Sequence, residues 1–264
     1  MSTGADIVID VQGMTCAYGD TVIVRDIDFE VRRGEVFVIL GGSGCGKSTV
    51  LKHMIGLYEP AAGRVLYTLD DGRRVDMAEA WGADRDELFR LFGVMYQSGA
   101  LFGSMTLLEN VRLPLEEFTD LPRRAMDRIA LMKLALVGLG EYGPLMPSEL
   151  SGGMKKRAAI ARAMALDPGI LFLDEPSAGL DPITSAELDQ LILELARTLG
   201  ITFVVVTHEL PSIFTIADRV IMLDKQTKGI IASGDPKDLR QTSENDFVHR
   251  FFNREADPLS EERA

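Results

Sequence analysis

An α/β fold with a parallel, buried sheet is predicted by three observations. A short apolar run, Val36–Leu40, ends directly in a glycine-rich loop and is followed by a helical pattern. A second apolar run, residues 170–173, ends in the adjacent acids Asp174-Glu175. Beyond it, helix and strand alternate through residues 185–199 and 201–206, the order that builds crossover-connected parallel strands.

Each element has its own signal. Residues 7–11 and 22–31 are β-rich segments split by the turn Tyr18-Gly19-Asp20, and they begin an antiparallel β subdomain that includes a strand over 64–69. Residues 46–57 read as a helix with Val50, Leu51, Met54 and Ile55 on one face. The polar turn Asp70-Asp71-Gly72 opens a charged stretch around Trp81, and the segment 67–89 reads as a solvated insertion. Residues 98–166 read as a helical subdomain, broken at Pro114, Pro122, Gly143-Pro144 and Pro147. Strands are expected at 219–223 and 229–232. The domain division is therefore 1–244, with the helices inserted, and a charged tail over 245–264. Phe247, Phe251 and Phe252 lie in that tail, and Phe247 and Phe251 have the spacing of one helix face. Three states of the tail stay open: packing on its own core, packing across a dimer, and disorder.

Composition narrows the class. The 264 residues suffice for one sizeable core with a satellite. Two cysteines, Cys16 and Cys45, form no disulfide framework and point to a reducing compartment. No apolar stretch approaches the roughly 18 residues of a membrane span, and the amino terminus has no leader pattern, so a soluble cytoplasmic chain is expected. A formal net charge of −12 argues against broad binding of nucleic acid.

The loop Gly41-Gly42-Ser43-Gly44-Cys45-Gly46-Lys47-Ser48-Thr49 satisfies the P-loop pattern between a strand and a helix, which makes the core a P-loop NTPase core. Glycines let successive N–H groups turn toward phosphate oxygens, and the helix start adds its positive end. Lys47 is expected on the terminal phosphates and Ser48 on Mg²⁺. Cys45 reads as a small residue tolerated in the loop, although a helix start can also activate a thiol. Neighbouring side chains at a strand end point in different directions. Asp174 is therefore assigned to the metal and Glu175 to the attacking water, with Gln97 and His208 as further positioning groups and Gln97 also beside the metal. Of the three histidines, only His208 follows a β-branched run, 204–207, at an expected strand end.

Between these motifs lies Leu150-Ser151-Gly152-Gly153-Met154, a second glycine-rich element. With it, the chain resembles the ATP-binding subunits of ABC transporters over nearly everything up to residue 240. The resemblance implies an ABC-ATPase type of fold, ATP and Mg²⁺ as cofactors, and Tyr18 as an adenine-stacking aromatic. It places Ser151, Gly152 and Gly153 on the ATP held by a second copy, in a nucleotide-sandwich dimer. It further implies Glu175 as the catalytic glutamate, His208 as a γ-phosphate sensor, and 177–181 as the loop joining the two sites. An integral-membrane permease would dock near Gln97, where Leu101, Phe102, Met105 and Leu107 either line the groove or fill an internal core.

Residues 96–102, 151–157 and Asp181-Pro182-Ile183-Thr184 also resemble the subfamily that powers MCE-associated lipid transporters, including the Mla phospholipid system. This implies phospholipid transport between bacterial membranes, an MCE-domain protein as partner, room for a small regulatory subunit, and a peripheral place on the cytoplasmic face of the inner membrane. The alternatives are a polar-solute or amino-acid importer ATPase and a soluble ABC remodelling protein. The latter is disfavoured by a single motif set without a long heptad insertion.

Overall fold

The computed structural model describes residues 6–255. The chain runs β1 (Ile7–Tyr18), β2 (Thr21–Arg32), β3 (Val36–Gly41), α1 (Lys47–Met54), β4 (Ala62–Thr68), β5 (Arg74–Asp76), α2 (Ala83–Leu91) and β6 (Phe92–Met95). It continues through α3 (Leu107–Phe118), α4 (Arg123–Leu136), a 3-10 turn (Pro147–Glu149) and α5 (Gly152–Ala163). The last part is β7 (Ile170–Asp174), α6 (Pro182–Leu199), β8 (Thr202–Val206), α7 (Leu210–Ile216), β9 (Arg219–Leu223), β10 (Ile230–Gly234), α8 (Pro236–Thr242) and α9 (Asp246–Asn253).

Two sheets result. The first has the order β2-β1-β4-β5 and is antiparallel. The second has the order β10-β9-β3-β8-β7-β6, parallel from β9 to β6 with β10 antiparallel at the edge. Strands β3, β7 and β8 are buried at every position, so they carry near-continuous apolar sequence rather than alternation. Helices α3, α4 and α5 pack on one another through Val111, Leu115, Leu134 and Ile160, all fully buried. That core is continuous with the underside of the parallel sheet. Because β3 and β7 are parallel and both adjoin β8, their carboxyl ends lie on one edge, and the glycine loop and the Asp174-Glu175 pair emerge together there.

Four expectations are corrected. Pro114 does not break its helix but lies inside α3. A proline there costs about 3 kcal/mol. The capping box of Thr106 and Glu109 and the burial of Leu107, Val111 and Leu115 on either side of it hold the helix together nonetheless. Helix α1 stops at Met54 rather than reaching residue 57. Gly56, at φ +73°, closes it with Gly56 N–H to His53 O and Leu57 N–H to Lys52 O, at 3.1 and 2.9 Å.

The segment 67–89 is not a solvated insertion. Tyr67 is fully buried and donates its hydroxyl to Met54 O at 2.9 Å, β5 pairs with β4, and α2 buries Leu88. Its charge is drawn off into a surface cluster in which Arg73 meets Asp71, Asp84 and Glu87. The aromatic pattern of the tail is offset by one residue. Val248 and Phe252 are the buried pair of α9, and they join this chain's own core beside Phe214, whose ring centroid is 5.7 Å from that of Phe252. Residues 256–264 of the expected tail lie outside the described residues.

Candidate functional site

The glycine loop can be built only with glycine at key points. Gly41 has φ +146°, and a Cβ there would collide with the carbonyl of Leu223 on β9. Gly46, at φ +104°, opens α1, and a Cβ on it would lie 2.6 Å from a methyl of Val24. The loop therefore nests between the two sheets, with Ser43 and Gly44 exposed at its crest. Lys47 is buried and folds back, its ammonium donating to Gly41 O and Gly42 O at 2.9 and 3.2 Å. Ser48 donates to Asp174 Oδ1 at 2.9 Å. Burial raises the Asp174 carboxyl above its usual range, and the Glu175 charge adds to this, while the Ser48 hydrogen bond and the lysines at 47 and 52 oppose it.

Glu175 occupies the left-handed region at φ +48°, an unusual place for a side chain of this size. Its N–H donates to Val206 O at 2.8 Å, and its carbonyl accepts from Ala178 N–H and from the Lys156 ammonium, both at 3.2 Å. One carboxylate oxygen, Oε1, lies 2.8 Å from His208 Nδ1, while Oε2 is buried with no partner.

A single cleft is lined by Gly41–Gly44, Gly46, Lys47, Ser48 and Thr49 together with Gln97, Glu175 and His208. Asp174 sits behind Ser48. Tyr18 is exposed outside the lining, with its hydroxyl 3.5 Å from Thr49 Oγ1 and its ring edge-on to Tyr58. Cys45 is buried, and burial pushes its thiol up, with Lys47 acting against the shift, so the loop does not activate it.

The structure does not bring Ser151, Gly152 and Gly153 into this cleft. Ser151 caps α5, its hydroxyl accepting from Met154 N–H at 3.3 Å. The two glycines pack instead on the chain's own Leu180 and Thr184. Ser151 and Gly152 face solvent. Of the apolar residues near Gln97, Leu107 is core, Leu101 and Met105 are half-buried, and Phe102 is exposed.

Three residues at the site were not assigned to it by sequence reasoning: Ile23 of β2, which lines the cleft, and two more. Phe251, from α9, also lines the cleft. No local signal at residue 251 indicates this, because its position depends on how α9 docks. Lys156 is the third, buried behind Gln97 and Glu175. It shares with Gly153 and Ile160 the buried stripe of α5, and a lysine on such a stripe is a readable anomaly.

These groups fit a nucleotide with a divalent ion. The loop offers amides and an ammonium for phosphates, Ser48 and Asp174 supply hard oxygens, and the orphaned Glu175 Oε2 is an acceptor for a water. Among the described residues no three His, Cys, Asp or Glu side chains gather around one point. That agrees with Mg²⁺, which takes one or two carboxylates and completes its shell with phosphate and water.

Residues 24–178 match the ABC transporter family. The chain is 41% identical over 247 residues to the probable ribonucleotide transport ATP-binding protein mkl of Mycobacterium leprae, covering 94% of this chain and 69% of that protein. It is 39% identical to the intermembrane phospholipid transport system ATP-binding protein MlaF of Haemophilus influenzae, covering 94% of this chain and 91% of that protein. The MlaF of Escherichia coli K12 is also 39% identical, with 90% of it covered. Among solved structures, cbiO1 of Clostridium perfringens, part of the ABC transporter complex cbiONQ, superposes with a TM-score of 0.78 at 30% identity, covering 88% of this chain and 90% of that one. The dimeric cassette MJ0796, in a post-hydrolysis state with ADP and Pi, gives a TM-score of 0.73 at 29% identity, covering 86% and 98%. Residues 24–178, which contain the glycine loop, the second glycine element and the acidic pair, match the family, and relatives at 39–41% identity cover 94% of the chain, so this chain belongs to the ABC transporter family, as an ATP-binding, ATP-hydrolysing subunit.

Proposed function

We propose that the chain powers phospholipid transport between bacterial membranes, as a peripheral ATPase on the cytoplasmic face of the inner membrane. The observation that carries this reading is the similarity to the MlaF proteins, which spans nine tenths of both partners. The mycobacterial relatives are slightly more identical and their name points to ribonucleotides, but the chain spans only about two thirds of them. Among the described residues no helix is long and apolar enough to cross a membrane, so a permease has to supply the path. An MCE-domain protein and a small regulatory subunit complete the proposed assembly. Phe102 and its half-buried neighbours Leu101 and Met105, adjoining Gln97, offer the docking surface.

In the proposed mechanism the loop amides and Lys47 bind the β- and γ-phosphates, with Lys47 exchanging its two loop carbonyls for phosphate oxygens. Ser48, Asp174 and Gln97 would hold Mg²⁺, which would supply charge neutralisation to the transferred phosphoryl group. Glu175 Oε2 accepts a hydrogen bond from the attacking water and takes its proton, while Oε1 is held by His208. Tyr18 stacks on adenine.

The solvent-facing Ser151 and Gly152 meet the ATP of a second copy, so that two sites form per homodimer. Ser151→Arg should accordingly damage the site whose P-loop belongs to the other subunit. Affinity purification from native membranes with protein and lipid mass spectrometry tests the assembly. Recovery of a permease, an MCE-domain protein and phospholipid is expected. Recovery of a polar-solute-binding protein instead, or of ribosomes with no permease, contradicts it.

A further inference from the structure

Lys156 is an anomaly on an otherwise apolar surface. It lies on α5, one turn beyond Ser151-Gly152-Gly153, and only 7% of it is exposed. A buried ammonium costs several kcal/mol in desolvation unless its protons are placed, so the fold must provide acceptors. It provides two, and both are main-chain carbonyls of residues in the cleft. One is Gln97 O, on the loop between β6 and α3, and the other is Glu175 O at 3.2 Å, at the left-handed turn after β7. Burial pushes the ammonium down, while the carboxylates of Asp174, Glu175 and Glu209 offset that.

The three partners lie on three separate pieces of chain. Helix α5 packs with α3 and α4, Gln97 leads out of the sheet toward those helices, and Glu175 belongs to the sheet edge. Arg162, farther along α5, reinforces one side of this joint by donating to Ala100 O and Gly99 O at 2.7 and 3.0 Å. Among the described residues, only Lys156 has a hydrogen bond to both the glutamine loop and the glutamate turn. A displacement of α5 therefore pulls on both through one ammonium.

We propose that Lys156 is a positioning residue for hydrolysis, a buried cation that fastens the Ser151-Gly152-Gly153 helix to the backbones of Gln97 and Glu175. When α5 engages nucleotide across the dimer, the metal-facing glutamine and the water-facing glutamate are set together. This rests on the assignment of Glu175 as the group facing water, which Glu175→Gln tests separately.

Lys156→Met keeps the aliphatic stem and removes only the charge, so the packing of α5 should survive. Lys156→Arg keeps a cation able to reach both carbonyls. In the purified assembly, Lys156→Met should lower kcat on the order of 10- to 100-fold, the scale expected when reacting groups lose their alignment by about an ångström. KM for MgATP and the melting temperature should stay near parental, and Lys156→Arg should recover most of kcat. Parental kcat in the Met variant overturns the proposal. So does a kcat loss in both variants that follows a fall in melting temperature, because that is the behaviour of a purely structural lysine. If the Met variant does not fold, the Arg variant decides: kcat near parental supports the tether, and loss of kcat without loss of stability contradicts it.

Discussion

His208 Nδ1 lies 2.8 Å from Glu175 Oε1, joining the end of β8 to the end of β7 across the nucleotide cleft. The imidazole is largely exposed and the carboxylate is not, so the contact fixes the buried partner and leaves the histidine free to meet a ligand. The other oxygen, Oε2, is left buried without a hydrogen-bond partner.

Replacing His208 with Ala should reduce turnover by about 10²-fold or more, since the glutamate loses its orientation and the terminal phosphate loses a donor. Nucleotide affinity should change little, because Lys47 and the loop amides are untouched. Steady-state ATPase assays paired with nucleotide-binding titrations check this. A variant with parental kcat contradicts the role given to the pair.

Asp189 on α6 predicts a pH effect on stability. It is buried, and burial raises its carboxyl from the ordinary range to about 6, with Glu209 adding to the shift and a hydrogen bond from Ser212 opposing it. An acid whose pKa is higher folded than unfolded binds more protons in the folded state, so its ionisation penalises the fold. The penalty is absent below about pH 4, grows between about 4 and 6, and is complete above that. Asp189→Asn should raise stability above pH 6 by up to about 3 kcal/mol and leave it unchanged at pH 4. Urea denaturation at a series of pH values checks this, and parallel curves for the two proteins would contradict it.

The docking of α9 predicts a loss confined to the chain itself. Phe252 is fully buried against Phe214, and Arg240 lies over the Phe214 ring while binding Asn253. Phe252→Ala should cost about 3–5 kcal/mol of monomer stability, the usual penalty for emptying a packed aromatic site. Denaturation of dilute protein measures it. Unchanged monomer stability, with weakened dimerisation, would instead favour packing of this helix across subunits.

Much of the chemistry is legible in the sequence because it is local. A P-loop must follow one strand and start one helix, so Gly41 to Thr49 declare themselves in a single stretch, and Asp174-Glu175 end an apolar run for the same reason. What the sequence hides depends on docking. Pro114 reads as a breaker, yet tertiary packing of α3 outweighs the local cost. The ring pair Phe247 and Phe251 has helical spacing, yet the face that docks is Val248 and Phe252, leaving Phe251 to line the cleft. Lys156 stands between two other basic residues, Lys155 and Arg157, and only the stripe it shares with Gly153 and Ile160 marks it as buried.

Glu175→Gln provides the most direct measurement of the account, because it changes the acid–base character of one buried oxygen and almost nothing of its shape. Steady-state MgATP hydrolysis and MgATP binding should be measured on the same purified assembly. Turnover reduced by about 10²–10⁴-fold is expected for loss of a general base. MgATP binding should be retained, and the dimer should accumulate in the nucleotide-bound, closed form. Near-parental turnover in this variant would contradict the assignment of Glu175 and with it the mechanism built around the cleft.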